Sequence, residues 1–429
     1  MPARGYDRFV ANNDQPWQEA MRAGLVGRSE QPLNCELPPA LLGGEVTPTH
    51  RFFRRNHFPI PELDPEAWRL SVAGLVRETL SVSLRDLREM PAQSLTATLE
   101  CAGNGRALFS PAPGGERWEL GAVSTAHWTG ARLRDVLDRA GVLPSARELI
   151  FRGADGGPLA DLPEPIRFER SLGVEDAMRS GALLAYEMNG DPLPVRHGFP
   201  VRLVVPGWYA VASVKWLTEV EATDRPFRGF FQDSHYVYEW QRDGQTKREP
   251  VRRQRVRAMI IEPPDGSRIP SGDVTVSGVA WSGEAPVRRV DVSAASASAT
   301  SPPSWQRARL VGRPDQFAWQ RWELNLHDLP AGPVCVRARA SDAAGNDQLV
   351  TPEWNPLGYG GNFVHEVAVT VGLRACGSAE DRLEILRGEG HEHRVGLDRH
   401  HPRRGDRCGE VQLPALGAIE SDRDGERHA

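Results

Sequence analysis

Apolar and polar residues alternate in short stretches along most of this chain, and long helical runs are few. Over 68–76, Trp68, Leu70 and Val72 follow the period-two pattern of a strand. Ser83 then heads a short helical stretch, 84–90, that Pro91 stops. Over 95–101 the residues Leu95, Ala97, Leu99 and Cys101 share one face, Thr96, Thr98 and Glu100 share the other, and the strand runs into a Gly103-Asn104-Gly105 loop. Leu133, Val136, Leu137 and Ala140 recur at helical spacing ahead of Gly141, which predicts an amphipathic helix ending there. Further strands are expected at 148–152, 201–205 and 211–217.

The text changes across 242–257, which is dense in arginine and turn residues, and a domain boundary is expected near 250. Beyond it strands dominate, at 274–281, 287–294, 307–311, 319–326, 334–341 and 363–371, the pattern of a β-sandwich. The expected organisation is an N-terminal arm (1–32) with a helix-like piece at Trp17, Ala20, Met21 and Leu25, a mixed domain (33–250), the sandwich (251–372), and a flexible polar tail (373–429). The fold class is α+β.

Composition narrows the function. The chain has 429 residues, of which 40% are hydrophobic and 25% charged, enough for two or three cored domains. Its net charge of −5 offers no global field for nucleic acid or an acidic membrane, so a bound anion must be met by local cations. Nearly all cations are arginines, which makes Lys215 stand out. Five scattered cysteines form no C-x-x-C pair, arguing against a disulfide framework, a zinc knuckle or covalent haem. No apolar run reaches the ~18 residues of a membrane span and no leader is visible, so a cytoplasmic protein is expected.

The sharpest segment runs from Thr98 to Arg106. It sets the Cys101 thiol at a strand end beside small residues, with Arg106 close enough to hold an anion or lower the thiol pKa. A packed core cysteine accounts for the same pattern equally well. Three further clusters, Arg54-Arg55-Asn56-His57, Arg196-His197 through Arg202, and Ser213-Val214-Lys215, are each weak alone. Together they form the donor set that charge-assisted binding of a phosphate or other oxyanion needs. The tail's His391, His393, His400 and His401 are more economically read as solvated residues than as a metal site.

Several long strings in order resemble the sulfite oxidase family of molybdenum cofactor enzymes: F-F-R-R-N-H-x-P-I-P from Phe52, E-C-A-G-N-G-R from Glu100, and G-A-V-S-T-A-H-W-T-G-A-R-L from Gly121. They continue with M-N-G-D-P-L-P-V-R-H-G-F-P-V-R from Met188, S-V-K-W-L from Ser213, and W-N-P-L-G-Y from Trp354. The resemblance implies a molybdopterin-binding domain followed by an immunoglobulin-like dimerisation domain, with Cys101 as the molybdenum ligand. It implies that Phe53, Arg54, Arg55, Asn56, His57, Asp155, His197, Arg202, Ser213, Val214 and Lys215 hold the cofactor. Arg55, Arg106 and Tyr236, with Trp118, would form the oxyanion pocket. The implied partners are a small oxyanion such as sulfite, a separate electron acceptor and a second copy of the chain. Two positions depart from the family: Gly105 and Glu366 stand where the animal and plant enzymes have arginine. A carboxylate in or near the pocket would favour another sulfur compound, or an S- or N-oxide, over dianionic sulfite. A non-catalytic β-sandwich binding protein is the remote alternative.

Overall fold

The computed structural model describes residues 16–372 apart from 161, 243 and 352. The tail histidines and Cys408 lie outside the described residues. Two groups of sheets divide the described chain, the first between residues 26 and 250 and the second from 257 onward.

In the first group one five-stranded sheet runs in the order Leu80–Ser83, Arg69–Gly74, Leu217–Thr223, Glu148–Gly157, Ile166–Gly173. A second five-stranded sheet has Ala92–Glu100 at its edge, then Val123–Arg132, then Leu183–Met188, which pairs with both Asp191–Pro192 and Arg202–Val204. The few helices stop where the sequence says they should. Ser83 Oγ accepts the Asp86 N–H at 3.1 Å while the Asp86 carboxylate accepts the Ser83 N–H at 2.8 Å, a reciprocal cap that starts Leu84–Glu89. Leu133–Ala140 buries Leu133, Val136, Leu137 and Ala140 and ends at Gly141, whose φ of 66° is left-handed.

The second group is a two-sheet sandwich. Four strands stand in one sheet, Arg257–Glu262, Val274–Trp281, Gln320–Leu326 and Arg309–Val311. Five stand in the other, Arg268–Ile269, His365–Val371, Gly332–Asp342, Val287–Ser296 and Gln306–Arg307. The expected strand over 307–311 is thus two short pieces, Gln306–Arg307 and Arg309–Val311, divided between the sheets. The last strand shows the alternation read in the sequence, with Val367, Val369 and Val371 buried and Glu366, Ala368 and Thr370 exposed.

One expectation fails in a useful way. The apolar stretch 211–217 is no strand until Leu217, because Ser213 Oγ takes the Val205 N–H at 3.0 Å and Trp216 adopts a left-handed φ of 49°. The irregular backbone leaves Ser213 and Lys215 on the wall of a cleft.

The helix Pro16–Arg22 closes the described N-terminal arm. Its Ala20 is buried in a cluster with Leu37, Val123, Met259, Val279 and Trp281, so the arm is wedged between the two halves.

Candidate active site

The strand Ala92–Glu100 delivers Cys101 to the floor of a cleft of about 680 Å³, open mouth included. The 52–57 segment supplies Phe53, Arg54, Arg55, Asn56 and His57 to its wall. Asp155, His197, Arg202, Ser213, Lys215 and Tyr236 join the lining from four other stretches of chain. Of the sequence candidates, Val214, Arg106 and Trp118 do not line it. Val214 is buried in the core, and its carbonyl accepts the Leu203 N–H. Trp118 is buried in the cluster that holds Cys101, with its indole N–H unpartnered.

Around Cys101 the backbone is tightly turned. Its N–H donates to the Ala122 carbonyl at 2.8 Å and its carbonyl accepts the Asn104 N–H at 2.9 Å. Burial pushes the thiol pKa up, while Arg55 and Arg106 pull it down. Arg106 folds back behind the loop, where a Cβ on Gly103 would lie 2.8 Å from its guanidinium carbon, so a side chain there would have to displace the guanidinium. Arg106 Nε donates to the Leu357 carbonyl at 3.0 Å, Nη1 to the Glu116 carbonyl at 2.9 Å, and its guanidinium stands 4.8 Å over the Tyr359 ring. It serves Cys101 as a nearby charge.

The Tyr236 hydroxyl hydrogen-bonds His57 Nε2 at 2.9 Å, and Tyr236 holds a left-handed φ of 55°. Such a backbone is strained for a bulky residue, and strain of this kind clusters at functional sites. Burial raises the Tyr236 phenol and drives His57 well below its ordinary value, Arg55 and Lys215 adding to the latter, so the pair is a neutral phenol and a neutral imidazole. Phe168 and Phe231 wall the imidazole at centroid distances of 5.1 and 4.5 Å. Tyr359 stacks on Tyr236 at 4.9 Å. Tyr359 and the two phenylalanines were not singled out in the sequence, although Tyr359 closes the W-N-P-L-G-Y string.

Elsewhere in the cleft, polar atoms are buried without protein partners. They are Asp155 Oδ1, His197 Nε2, Arg202 Nε and Arg54 Nε. Lys215 Nζ donates to the Arg55 carbonyl at 3.1 Å and to Asn56 Oδ1. Burial pulls the Lys215 pKa down against Asp155, and pushes Asp155 up against Lys215. Burial also lowers Arg202 to about 9 and His197 well below its ordinary value. Buried polar groups normally have partners, so this set fits a ligand carrying both hydrogen-bonding heteroatoms and negative charge, which a pterin phosphate does. Among the described residues no group of three or more His, Cys, Asp or Glu is placed to hold a metal; the single-thiolate role of Cys101 is what the family resemblance implies.

Glu366 corrects an expectation. It is absent from the cleft lining and sits opposite Arg337 on the neighbouring strand, whose Nε donates to its carboxylate at 2.6 Å. The ground for an oxide-reducing alternative therefore disappears. Gly105 has a φ of 85°, and a Cβ there would lie 2.6 Å from Arg257 Nη2.

Residues 57–231 match the model of the oxidoreductase molybdopterin binding domain, and residues 248–372 match that of the Mo-co oxidoreductase dimerisation domain. Sulfite oxidase of Gallus gallus is 38% identical over 356 residues, which are 78% of this chain and 75% of that protein. The chain belongs to the sulfite oxidase family. Mitochondrial sulfite oxidase of Homo sapiens is 39% identical over 369 residues, 81% of this family member but 66% of the human protein, so the chain spans just under two thirds of that relative. The solved structure of the sulfane dehydrogenase SoxCD from Paracoccus pantotrophus superposes with a TM-score of 0.71 at 26% identity, covering 86% of this sulfite oxidase family member and 93% of that chain. Membership removes the binding-protein alternative. Among the described residues no helix is long and apolar enough to cross a membrane.

Proposed function

We propose that this protein is a molybdenum cofactor enzyme that oxidises sulfite to sulfate and passes the electrons to a separate acceptor. The observation that carries the reading is the convergence of Cys101, Arg55 and Tyr236 with the unpartnered polar atoms of Asp155, His197 and Arg202 in one cleft. Sulfite and water become sulfate, two protons and two electrons. When bound, the cofactor supplies oxygen-atom transfer and accepts the electron pair. Cys101 holds it by its thiolate. Phe53, Arg54, Asn56, His57, Asp155, His197, Arg202, Ser213 and Lys215 bind its pterin and phosphate, while Val214, with its carbonyl and N–H bonded to Leu203 and Ala212, only supports this wall from the core. Arg55 neutralises substrate charge, with Arg106 contributing field from behind the Cys101 loop. With His57 carrying its proton on Nε2, the Tyr236 oxygen accepts from His57 and its hydroxyl is left to donate to a substrate oxygen and orient it.

The domain boundary near 250 and a homodimer formed through 251–372 belong to the same reading, supported by the dimerisation-domain match. A second reading, oxidation of a sulfane sulfur, is favoured by the likeness to SoxCD. Metal and pterin analysis of purified protein, followed by anaerobic absorbance before and after sulfite, tests the proposal. The expected result is about one molybdenum per chain and bleaching by sulfite. Loaded protein that ignores sulfite but is reduced by a sulfane compound establishes the second reading, and reconstituted protein without molybdenum overturns both.

A further inference from the structure

The residue before Cys101 is a buried carboxylate whose partners come from the other half of the molecule. Glu100 Oε1 accepts from Arg257 Nη1 at 2.7 Å and from Asn104 Nδ2 at 3.0 Å, and Oε2 accepts from Trp281 Nε1 at 2.9 Å. Arg257 is the first residue of the strand Arg257–Glu262 and Trp281 the last of Val274–Trp281, adjacent strands of the sandwich that pair these two residues directly. Arg257 reaches further, to the Cys101 loop and to the segment around Gly361. Nη1 also donates to the Asn104 carbonyl at 3.3 Å, Nη2 donates to the Gly361 carbonyl at 2.6 Å, and the guanidinium occupies the space that a side chain at position 105 would fill. Asn104 closes the circuit, since its Oδ1 accepts the N–H of Ala122 at 3.2 Å, the same residue whose carbonyl holds the Cys101 N–H.

We propose that Arg257 and Trp281 are positioning residues for the Cys101 sulfur, acting through Glu100 and Asn104, so that the sandwich domain is a working part of the oxidoreductase site. This rests on the reading of Cys101 as the metal ligand. The physical ground is the stiffness of the network. A carboxylate pinned by a guanidinium, an amide and an indole cannot rotate, and its backbone fixes the next Cα. Loosening one donor should change sulfur placement before it unfolds anything. Metal-ligand geometry of this kind responds to its supporting hydrogen bonds.

The test uses purified, loaded, full-length protein and two variants, Trp281→Phe, which removes one N–H while keeping an aromatic ring, and Arg257→Lys, which keeps the charge but loses the fork. Ser282→Ala is the control, because the hydrogen bonds of Ser282 Oγ, to Asp342 at 2.8 Å and from the Glu284 N–H at 3.3 Å, stay inside the sandwich. The expected result is near-wild-type molybdenum content, with a displaced thiolate-to-metal absorption band and kcat lowered about threefold to thirtyfold at little-changed KM, in both variants and not in the control. Loaded variants that keep the wild-type band and kcat overturn the proposal, as does a control that shifts the band equally. Wild-type protein that binds no molybdenum fails the underlying reading instead, which separates the two.

Discussion

The strand that ends at Cys101 has two faces with opposite fates. On one, Ala97 and Leu99 pack with Phe52, Phe53 and Trp128 and lead to a cleft whose deeper polar atoms have no protein partner. On the other, Thr98 and Glu100 are buried against the sandwich with their polar atoms engaged. Thr98 Oγ1 accepts the Trp319 N–H at 2.8 Å, its carbonyl accepts from Gln254 Nε2 at 2.8 Å, and Glu100 takes three donors. Both faces exclude water, so burial alone does not distinguish them. Satisfaction does: a saturated polar cluster makes structure, and a cluster with open valences awaits a ligand.

The largest effect expected from breaking this contrast is at the tip. Cys101→Ser should leave the fold intact and lower sulfite turnover by about a thousandfold or more, some 4 kcal/mol of barrier, and a variant with ordinary steady-state turnover would refute the assignment. Arg55→Ala, on the open side, should cost about tenfold to a hundredfold in kcat/KM for sulfite, the worth of one charge-assisted hydrogen bond of roughly 1.5 to 3 kcal/mol. Its melting temperature should move little.

On the saturated side the balance reverses. Thr98→Val strands the buried Trp319 N–H and should cost about 1 to 3 kcal/mol of stability by urea unfolding, with sulfite kinetics within about threefold of wild type. Equal kinetic damage from Thr98→Val and Arg55→Ala would erase the distinction between the faces.

Acid acts through one buried imidazole of the sandwich. His365 Nδ1 accepts the Ile260 N–H at 2.8 Å, and burial, with Arg257 second, lowers its pKa to about 3. The unfolded chain binds that proton near its ordinary value and the folded chain does not. The contribution of His365 to stability is therefore full above about pH 6.5 and falls as pH drops toward 3, by up to about 1.4 kcal/mol per unit. Urea midpoints across that window should slope less in His365→Asn than in wild type, and parallel slopes would show that His365 carries no such linkage. Smallest of all, Glu366→Arg should leave sulfite kinetics unchanged and cost about 1 kcal/mol or less, because it replaces one exposed cross-strand ion pair by a like-charge contact. A clear gain in kcat/KM for sulfite would return Glu366 to the pocket.

Much of this was legible in the sequence wherever the physics is local. The Ser83 cap, the Gly141 stop and the alternation through Thr98, Leu99 and Glu100 are written in neighbouring residues. The cleft residues were legible as strings that share a family, though nothing local joined Asp155 to His197. What stayed hidden depends on chain that returns from far away. The 211–217 stretch looks like a strand until Ser213 Oγ takes a backbone N–H from Val205. Arg257 reads as one more arginine in a charged linker, and its only local signal is that it opens an otherwise apolar stretch, Ala258 to Ile261. Glu366 was misplaced because alignment fixes a position along a strand and says nothing of what the neighbouring strand sets opposite it.

The left-handed backbone at Tyr236 sets up a conflict for the protein's evolution. Glycine or asparagine would be more comfortable at that φ of 55°, so any drift or redesign that favours stability pulls the position away from tyrosine. Only selection on the hydroxyl pulls it back. In a descendant released from its chemistry, position 236 should be among the first in the cleft to lose its native side chain, well before the glycines of the Cys101 loop, where comfort and function ask for the same residue.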